Sequence, residues 1–411
     1  MNKFFKLLFF CSTIVLSQVS SPRDLGSPGF NLTYCSNDTV LALPFLSNNF
    51  SLFTKNPISE WYNLGASKVD FESYISKEKS VELNLLLENN IISFGLPIRD
   101  SYLSFGLNHN IYGNINLSNE LLNLFWNGNA QYLDQTISFN DNYSNYIQFS
   151  SLYFQYYFDF LQYKIGARLN FLHGINYFNL DEGNFTLNSV SNLITPFSTY
   201  ISTNIYAETS TAKLIGFSNP GLSLDYAINF NFLKLDFSIQ FQNIGFIYWQ
   251  NNASIHQSNR NYLFNGFDYT MDQVISEEFQ NTLDTLSDVF AVSSEKGSTF
   301  IRRIPLKISF ETSFETNSNF NIFINFQCIE ELGEYNNLSF FNLYFIGLSK
   351  DVSNKVTLYG SYNYNKFNST NLSLGLYARF NHFHVGLNTN NLLSLFGDTY
   401  FNLNTAVYYL F

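Results

Sequence analysis

From about Val40 to the C-terminus, apolar and polar residues alternate with a period of two, segment after segment. At the end of the chain Phe401, Leu403, Thr405, Val407, Tyr409 and Phe411 fall on one face, while Asn402, Asn404 and Ala406 fall on the other. Leu372, Leu374, Leu376, Ala378 and Phe380 alternate with Ser373, Gly375, Tyr377 and Arg379. Leu235, Phe237, Ile239 and Phe241 alternate with Asp236, Ser238, Gln240 and Gln242. The same holds for Tyr163 to Phe171 and for Leu103 to Leu107. Successive side chains of a strand point to opposite faces, so this is the grammar of strands and not of helices.

Candidate strands lie near 43–54, 82–95, 102–114, 145–158, 162–174, 199–210, 219–230, 233–248, 302–314, 319–328, 339–349, 354–364, 371–380, 383–391 and 401–411. Their oily faces together carry more apolar surface than one sandwich core can hide. Hydrocarbon solvates such faces, and a closed barrel satisfies every backbone hydrogen bond inside a bilayer, which an open sheet does not. The lengths suit tilted spans of about 9–11 residues. Bacterial barrels normally have an even number of strands, so either 199–210 or 43–54 is expected to be loop or plug. The expected fold is all-β: a single transmembrane antiparallel β-barrel of about 14 strands, with 12 or 16 as alternatives, and long extracellular loops containing short helices.

Composition agrees. Charged residues make up 13% of the chain, against roughly 25% in soluble domains. Aromatics reach 19%, with 46 Phe and 28 Tyr. The net charge of −11 and the lack of a basic stripe exclude nucleic acid as a partner.

Residues 1–17 read as a secretory signal, with Lys3 and Lys6 ahead of the apolar run Leu7 to Leu16 and with Val15 and Ser17 placing cleavage before Gln18. The run is shorter than the roughly 20 residues a spanning helix needs. A lipoprotein reading through Cys11 is disfavoured by bulky Phe9 and Phe10. Residues 18–80 form an N-terminal segment with the first strand or a plug, and 81–411 form the barrel. The expected location is the outer membrane, with its lipid and the barrel-assembly machinery as partners. Cys35 and Cys328 are too few and too far apart for a disulfide framework, and whether they pair stays open.

Short connections such as Asp159-Phe160-Leu161, Asn231-Phe232 and Asn381-His382 are assigned to the periplasmic side. Residues 115–144, 175–198 and 249–301 are assigned outside. Ser118 caps an expected helix running to Trp126, and Met271 to Phe290 carries a second helical stripe. That second stretch is acidic and reads as a solvated loop face, with weak divalent-cation binding as the alternative.

Four stretches carry a resemblance. They are Ile92-Ser93-Phe94-Gly95-Leu96-Pro97-Ile98-Arg99 with Tyr102-Leu103-Ser104-Phe105, then Leu124-Phe125-Trp126-Asn127-Gly128-Asn129, then Ile165 to Gly174, then Asn243-Ile244-Gly245-Phe246-Ile247-Tyr248-Trp249. In this order the region from about Asn89 to Phe396 resembles an uncharacterised outer-membrane barrel family of Bacteroidota, a domain of unknown function. The resemblance implies a barrel distantly similar to fatty-acid-channel-like and secretion-associated barrels. It implies no activity and no catalytic residues.

Motifs for chemistry are thin. There is no H-E-x-x-H, G-x-S-x-G, phosphate loop or C-x-x-C, and no cofactor or metal is expected. Lys164, Arg168, Asp225, Asp236 and Arg379 sit mid-strand on polar faces and are candidate lumen-lining residues, the cations pairing with the carboxylates. Tyr359, Tyr377 and Tyr408 on inward positions favour a partly filled interior. Trp126 is a candidate loop plug, and Phe411 a candidate assembly signal. Three roles follow: a docking or structural subunit of an envelope or secretion complex with passive binding, which is preferred; a transport barrel for a hydrophobic or small solute; and an outer-membrane hydrolase using His109 or His173. Deleting Phe411 should lower the amount of assembled barrel in the membrane, measured by heat-modifiable gel mobility of envelope fractions; unchanged levels would remove its assembly role.

Overall fold

The structure is a computed structural model. It describes residues 40–42, 47–54, 80–99, 101–127, 132–140, 142–190, 198–214, 216, 218–264, 293–316, 320–330, 340–353, 355–365, 370–389 and 400–411. The signal segment, most of 18–80 with Cys35, and the acidic stretch 271–290 therefore lie outside the described residues.

The strands are β1 (Val40–Ala42), β2 (Ser47–Thr54), β3 (Ser80–Ile98), β4 (Ser101–Ser118), β5 (Thr136–Phe139), β6 (Tyr143–Phe160) and β7 (Tyr163–Val190). Next come β8 (Ser198–Thr211), β9 (Pro220–Phe232), β10 (Leu235–Trp249), β11 (Ser254–Phe264), β12 (Ser293–Lys296), β13 (Phe300–Arg303) and β14 (Lys307–Glu315). The chain ends with β15 (Phe320–Glu330), β16 (Phe340–Ser353), β17 (Val356–Asn365), β18 (Thr370–Phe380), β19 (Phe383–Thr389) and β20 (Tyr400–Leu410).

Closure depends on the first two strands. β1 pairs with both β20 and β3, with Val40 opposite Leu410 on one side and Gly95 on the other. β2 continues along the same line, with Leu52 opposite Phe401 and Leu85. β13 and β14 likewise share one line along β10, interrupted at Pro305, which has no N–H to give a ladder. With these two pairs each taken as one wall strand, the described residues form a closed antiparallel ring of 14 strands. The described part of the run at 43–54, β2, thus contributes wall, whereas β8, the run at 199–210, stands outside the ring.

β8 pairs with the far end of β7, and its other edge carries β11 and then β12. β7 is 28 residues long; its first half pairs with β9 and its second half with β8. A sheet therefore projects beyond the ring at the end away from the hairpins. Residues 175–190 and 254–264, expected as loop, are strand because Phe185 to Asn188 and the β11 run keep an extended, alternating pattern. Nine residues after Ser118 form helix α1 (Asn119–Asn127), and the Leu121 N–H donates to the Ser118 hydroxyl at 3.3 Å.

The opposite end is closed by short turns. Leu233 and Lys234 join β9 to β10 with φ of 52° and 68°, the two positive values that a type I′ hairpin demands. Neither residue is a glycine, so the register is set by the ladder rather than by turn preference.

The pleat sorts the walls. On β6, Tyr153, Gln155 and Tyr157 are buried while Leu152, Phe154 and Tyr156 are exposed. On β9, Ser223, Asp225 and Ala227 are buried and Leu222, Leu224 and Tyr226 are exposed. On β16, Ile346 and Leu348 are each 52% exposed, between buried Leu343, Phe345 and Ser349. Apolar side chains open to solvent on these walls, with polar ones inside, are the inverse of a soluble core and the arrangement of a membrane barrel. Ile346→Arg, at mid-strand on the lipid face, should cost about 2–4 kcal/mol of folding free energy in lipid vesicles. Leu161→Arg, in the β6–β7 turn, should cost almost nothing; equal costs at both sites would place β16 outside the bilayer.

Candidate functional site: the barrel interior

Toward the projecting sheet the lumen holds an apolar layer. Tyr112 on β4 stacks on Phe149 of β6, with ring centroids 6.0 Å apart and planes 6° apart. Tyr177 packs against Trp249 at 5.0 Å and Phe300 at 5.4 Å. Leu86, Ile147, Leu172, Ile247, Phe341, Leu343 and Phe345 fill around them. Gly174 faces Trp249 so closely that a Cβ there would lie 2.6 Å from the indole. The indole is fully buried.

Beneath this layer lies a connected polar network. Arg168 on β7 stands in register with Asp225 on β9, and their charged groups are 3.5 Å apart. The same guanidinium donates twice to Gln155 Oε1, at 3.2 and 3.1 Å, and lies 4.9 Å from the Tyr153 ring centre. Asp225 accepts from the Asn170 amide at 3.0 Å and from the Asn243 backbone N–H at 2.7 Å. Asn243 occupies a bulge in β10, with φ of 65°, and so escapes the alternation. Its amide donates to the Tyr112 hydroxyl at 3.0 Å.

Tyr112 donates in turn to Glu88 on β3 at 3.2 Å. Glu88 also accepts from Asn49 on β2 at 2.9 Å and from Lys307 on β14 at 3.2 and 3.1 Å. Counted around the ring, β3 and β14 are six wall strands apart, so this contact crosses the lumen. A third pair, Glu208 on β8 with Arg302 on β13, lies at the level of the projecting sheet. Arg302 Nε donates to Glu208 Oε2 at 2.6 Å, and Tyr206 donates to the same carboxylate at 2.7 Å. Charges this deeply buried are tolerable only when paired and hydrogen-bonded, as all of these are.

Of the candidate lumen residues, the fold brings Arg168 and Asp225 together. Lys164, Asp236 and Arg379 sit near the hairpin end. Lys164 and Arg379 are exposed and Asp236 is half-buried, so they belong to the mouth rather than to the central network. Arg379 lies 5.3 Å from the Tyr377 ring centre, and Tyr377 bonds His384 Nδ1 at 2.7 Å. Tyr359 and Tyr377 are buried inside. Trp126 falls in the last turn of α1, and its side chain lies outside the described ones. Phe411 is exposed, with its ring edge-on to Tyr409 at 4.8 Å. Cys328 is a partly buried free thiol.

Glu88, Lys307, Glu208, Arg302 and Asn243 were not legible as site residues. The available signal was a lone charge inside a neutral strand, as in Leu86-Leu87-Glu88-Asn89 and Leu306-Lys307-Ile308. Among the described residues no three His, Cys, Asp or Glu side chains gather as a metal site.

The architecture is that of a closed membrane β-barrel whose lumen is crossed by side chains. The chain belongs to the family described as a family of unknown function (DUF5723), whose model matches residues 34–390. No curated protein matches it. Among solved structures it is similar to the toluene transporter TbuX of Ralstonia pickettii, with a TM-score of 0.44, 9% identity, and coverage of 95% of this chain and 93% of that one. A FadL homologue of Pseudomonas aeruginosa gives 0.43 and 12%, covering 96% and 93%. The translocator domain of the autotransporter NalP from Neisseria meningitidis gives 0.34 and 8%, covering 91% and 88%.

Lys307→Met leaves Glu88 buried without its cation and should destabilise the barrel by about 3–5 kcal/mol. Adding Glu88→Gln should recover most of that loss in urea unfolding followed by tryptophan fluorescence. Additive losses would mean the two groups do not form a pair.

Proposed function

We propose that this chain is an outer-membrane transport barrel for a small or hydrophobic solute, closed at rest by its own side chains. The observation that carries this reading is the contact of Lys307 with Glu88 across a ring of fourteen strands. About eight strands suffice for side chains to fill a barrel. A larger ring that is nevertheless bridged by one ionic strut, with an aromatic layer above it, has the form of a gate. The strut is polar and reversible, and the aromatic layer of Tyr112, Phe149, Tyr177 and Trp249 suits an apolar passenger better than an ion.

A second reading, docking to an envelope partner, is supported by the projecting sheet of β7, β8, β11 and β12. Of these, β7 at 28 residues runs far beyond the roughly ten a span requires, and β8 and β11 pair along its extension rather than in the ring.

Purified protein in planar bilayers should be nearly silent, and Glu88→Ala with Lys307→Ala should produce openings at least about tenfold more frequent. Silence in both, together with a stable co-purifying envelope protein, would sink transport in favour of docking.

A further inference from the structure

The outer wall carries a groove on β16, β17 and β18. Its flanks are apolar: Ile346 and Leu348 on β16, Leu358 and Tyr362 on β17, and Leu372 and Leu374 on β18 are all exposed. Gly360 stands in their midst, opposite Leu348 on one side and Leu374 on the other. Because it has no side chain, the surrounding ones border a groove of about 550 Å³, floored by the strands' own backbone. Nothing in the wall requires this glycine. Its φ is not positive, and the ladders on both sides run through it in regular register. A Cβ there would meet only the Leu374 side chain at 3.6 Å and the Ser373 carbonyl at 3.9 Å, which are ordinary contacts. At Gly95 or Gly347 a Cβ would instead collide with Tyr102 or Phe323. Glycine weakens a strand interior, and one that packing does not demand marks a place where another molecule approaches the backbone.

At the hairpin end the groove meets a charge. Lys350, three residues before the end of β16, faces outward and lines the groove. Among the described residues no carboxylate pairs with it. Its ammonium lies 4.4 Å from the ring centre of Phe320, the first residue of β15. Val352 alone stands outward between Lys350 and the turn, and a lysine stem carries its charge past one such residue to the headgroups. A cation on a lipid-facing wall is costly at mid-bilayer and tolerable near the interface.

We propose that this groove binds one phospholipid of the hairpin-side leaflet, its phosphate on the Lys350 ammonium and one acyl chain laid over Gly360. A net-negative headgroup, phosphatidylglycerol, is preferred, because the ammonium of a phosphatidylethanolamine competes with Lys350 for the same phosphate. The two residues act on opposite ends of the lipid: Lys350 selects the headgroup, and Gly360 admits the chain. The site lies outside the lumen and holds whether or not the barrel transports.

The test is native mass spectrometry of the full purified chain in detergent, with dioleoylphosphatidylglycerol or dioleoylphosphatidylethanolamine added. Wild type should retain one phosphatidylglycerol more tightly than any phosphatidylethanolamine. K350M, which keeps the apolar stem, should weaken phosphatidylglycerol about fivefold, the attraction of one lysine to an anionic lipid, and erase the preference. G360L, which fills the groove, should weaken both lipids alike. K355M, at the exposed turn nearby, should change neither. Heat-modifiable mobility checks that each variant is folded, and K350M keeps the test decisive should G360L fail to assemble. Unchanged binding in K350M, or equal weakening by K355M, overturns the site. Wild-type dimers that G360L turns into monomers with no loss of lipid also overturn it, by giving the groove to a second copy of the chain.

Discussion

The structure depends on the satisfaction of backbone hydrogen bonds in a medium that offers none. In hydrocarbon each unpaired N–H or C=O costs several kcal/mol, so a sheet can enter only if it has no edge. Two short N-terminal strands remove that edge. β1 and β2 together span only 3 and 8 residues, yet they pair on both sides and join the first long wall strand to the last. Every other contact presupposes this ring.

Once the ring is closed, the interior faces a different problem. It encloses polar and charged side chains at low dielectric, and each must find a partner there. The chain from Gln155 through Arg168, Asp225, Asn243, Tyr112 and Glu88 to Lys307 and Asn49 is one solution, and it links walls that the backbone ladder does not. A buried ion pair of this kind adds little net stability over apolar packing, but breaking it is expensive. Such a strut therefore fixes which walls face each other across the lumen, and it makes a closed state that only a specific change can open.

How far the sequence could be read follows from the same division. Alternation along β6, β9, β16 and β18 reports which face is oily, because the pleat has a period of two and lipid covers all of one face. The pairing of Arg168 with Asp225 was within reach, since both are lone charges on polar faces and the lumen cations were expected to pair with such carboxylates. Lys164, Asp236 and Arg379 carry the same signal but lie at strand ends, where water reaches them, and depth along a tilted strand is not written in the alternation. Asn243 was hidden because a bulge breaks the period, and the upper half of β7 because strands outside a bilayer need not keep a span's length. The groove between Lys350 and Gly360 was hidden for another reason: the two sit on different strands and share one outward face only through the β16–β17 register.

The sequence alone determined that the chain makes strands, that one side of them is oily enough to demand lipid, and that their number is near fourteen. These are local properties, set by side-chain period and by segment length against bilayer thickness. Only the tertiary structure decided that Ser47–Thr54 supplies wall while 199–210 stands outside the ring. It alone decided that Glu88 meets Lys307 across the lumen, and that Lys350 and Gly360 line one groove on the outer face. Register, bulges and ring closure place those groups, and they arise from hydrogen bonding between strands distant in the chain, which no local pattern encodes.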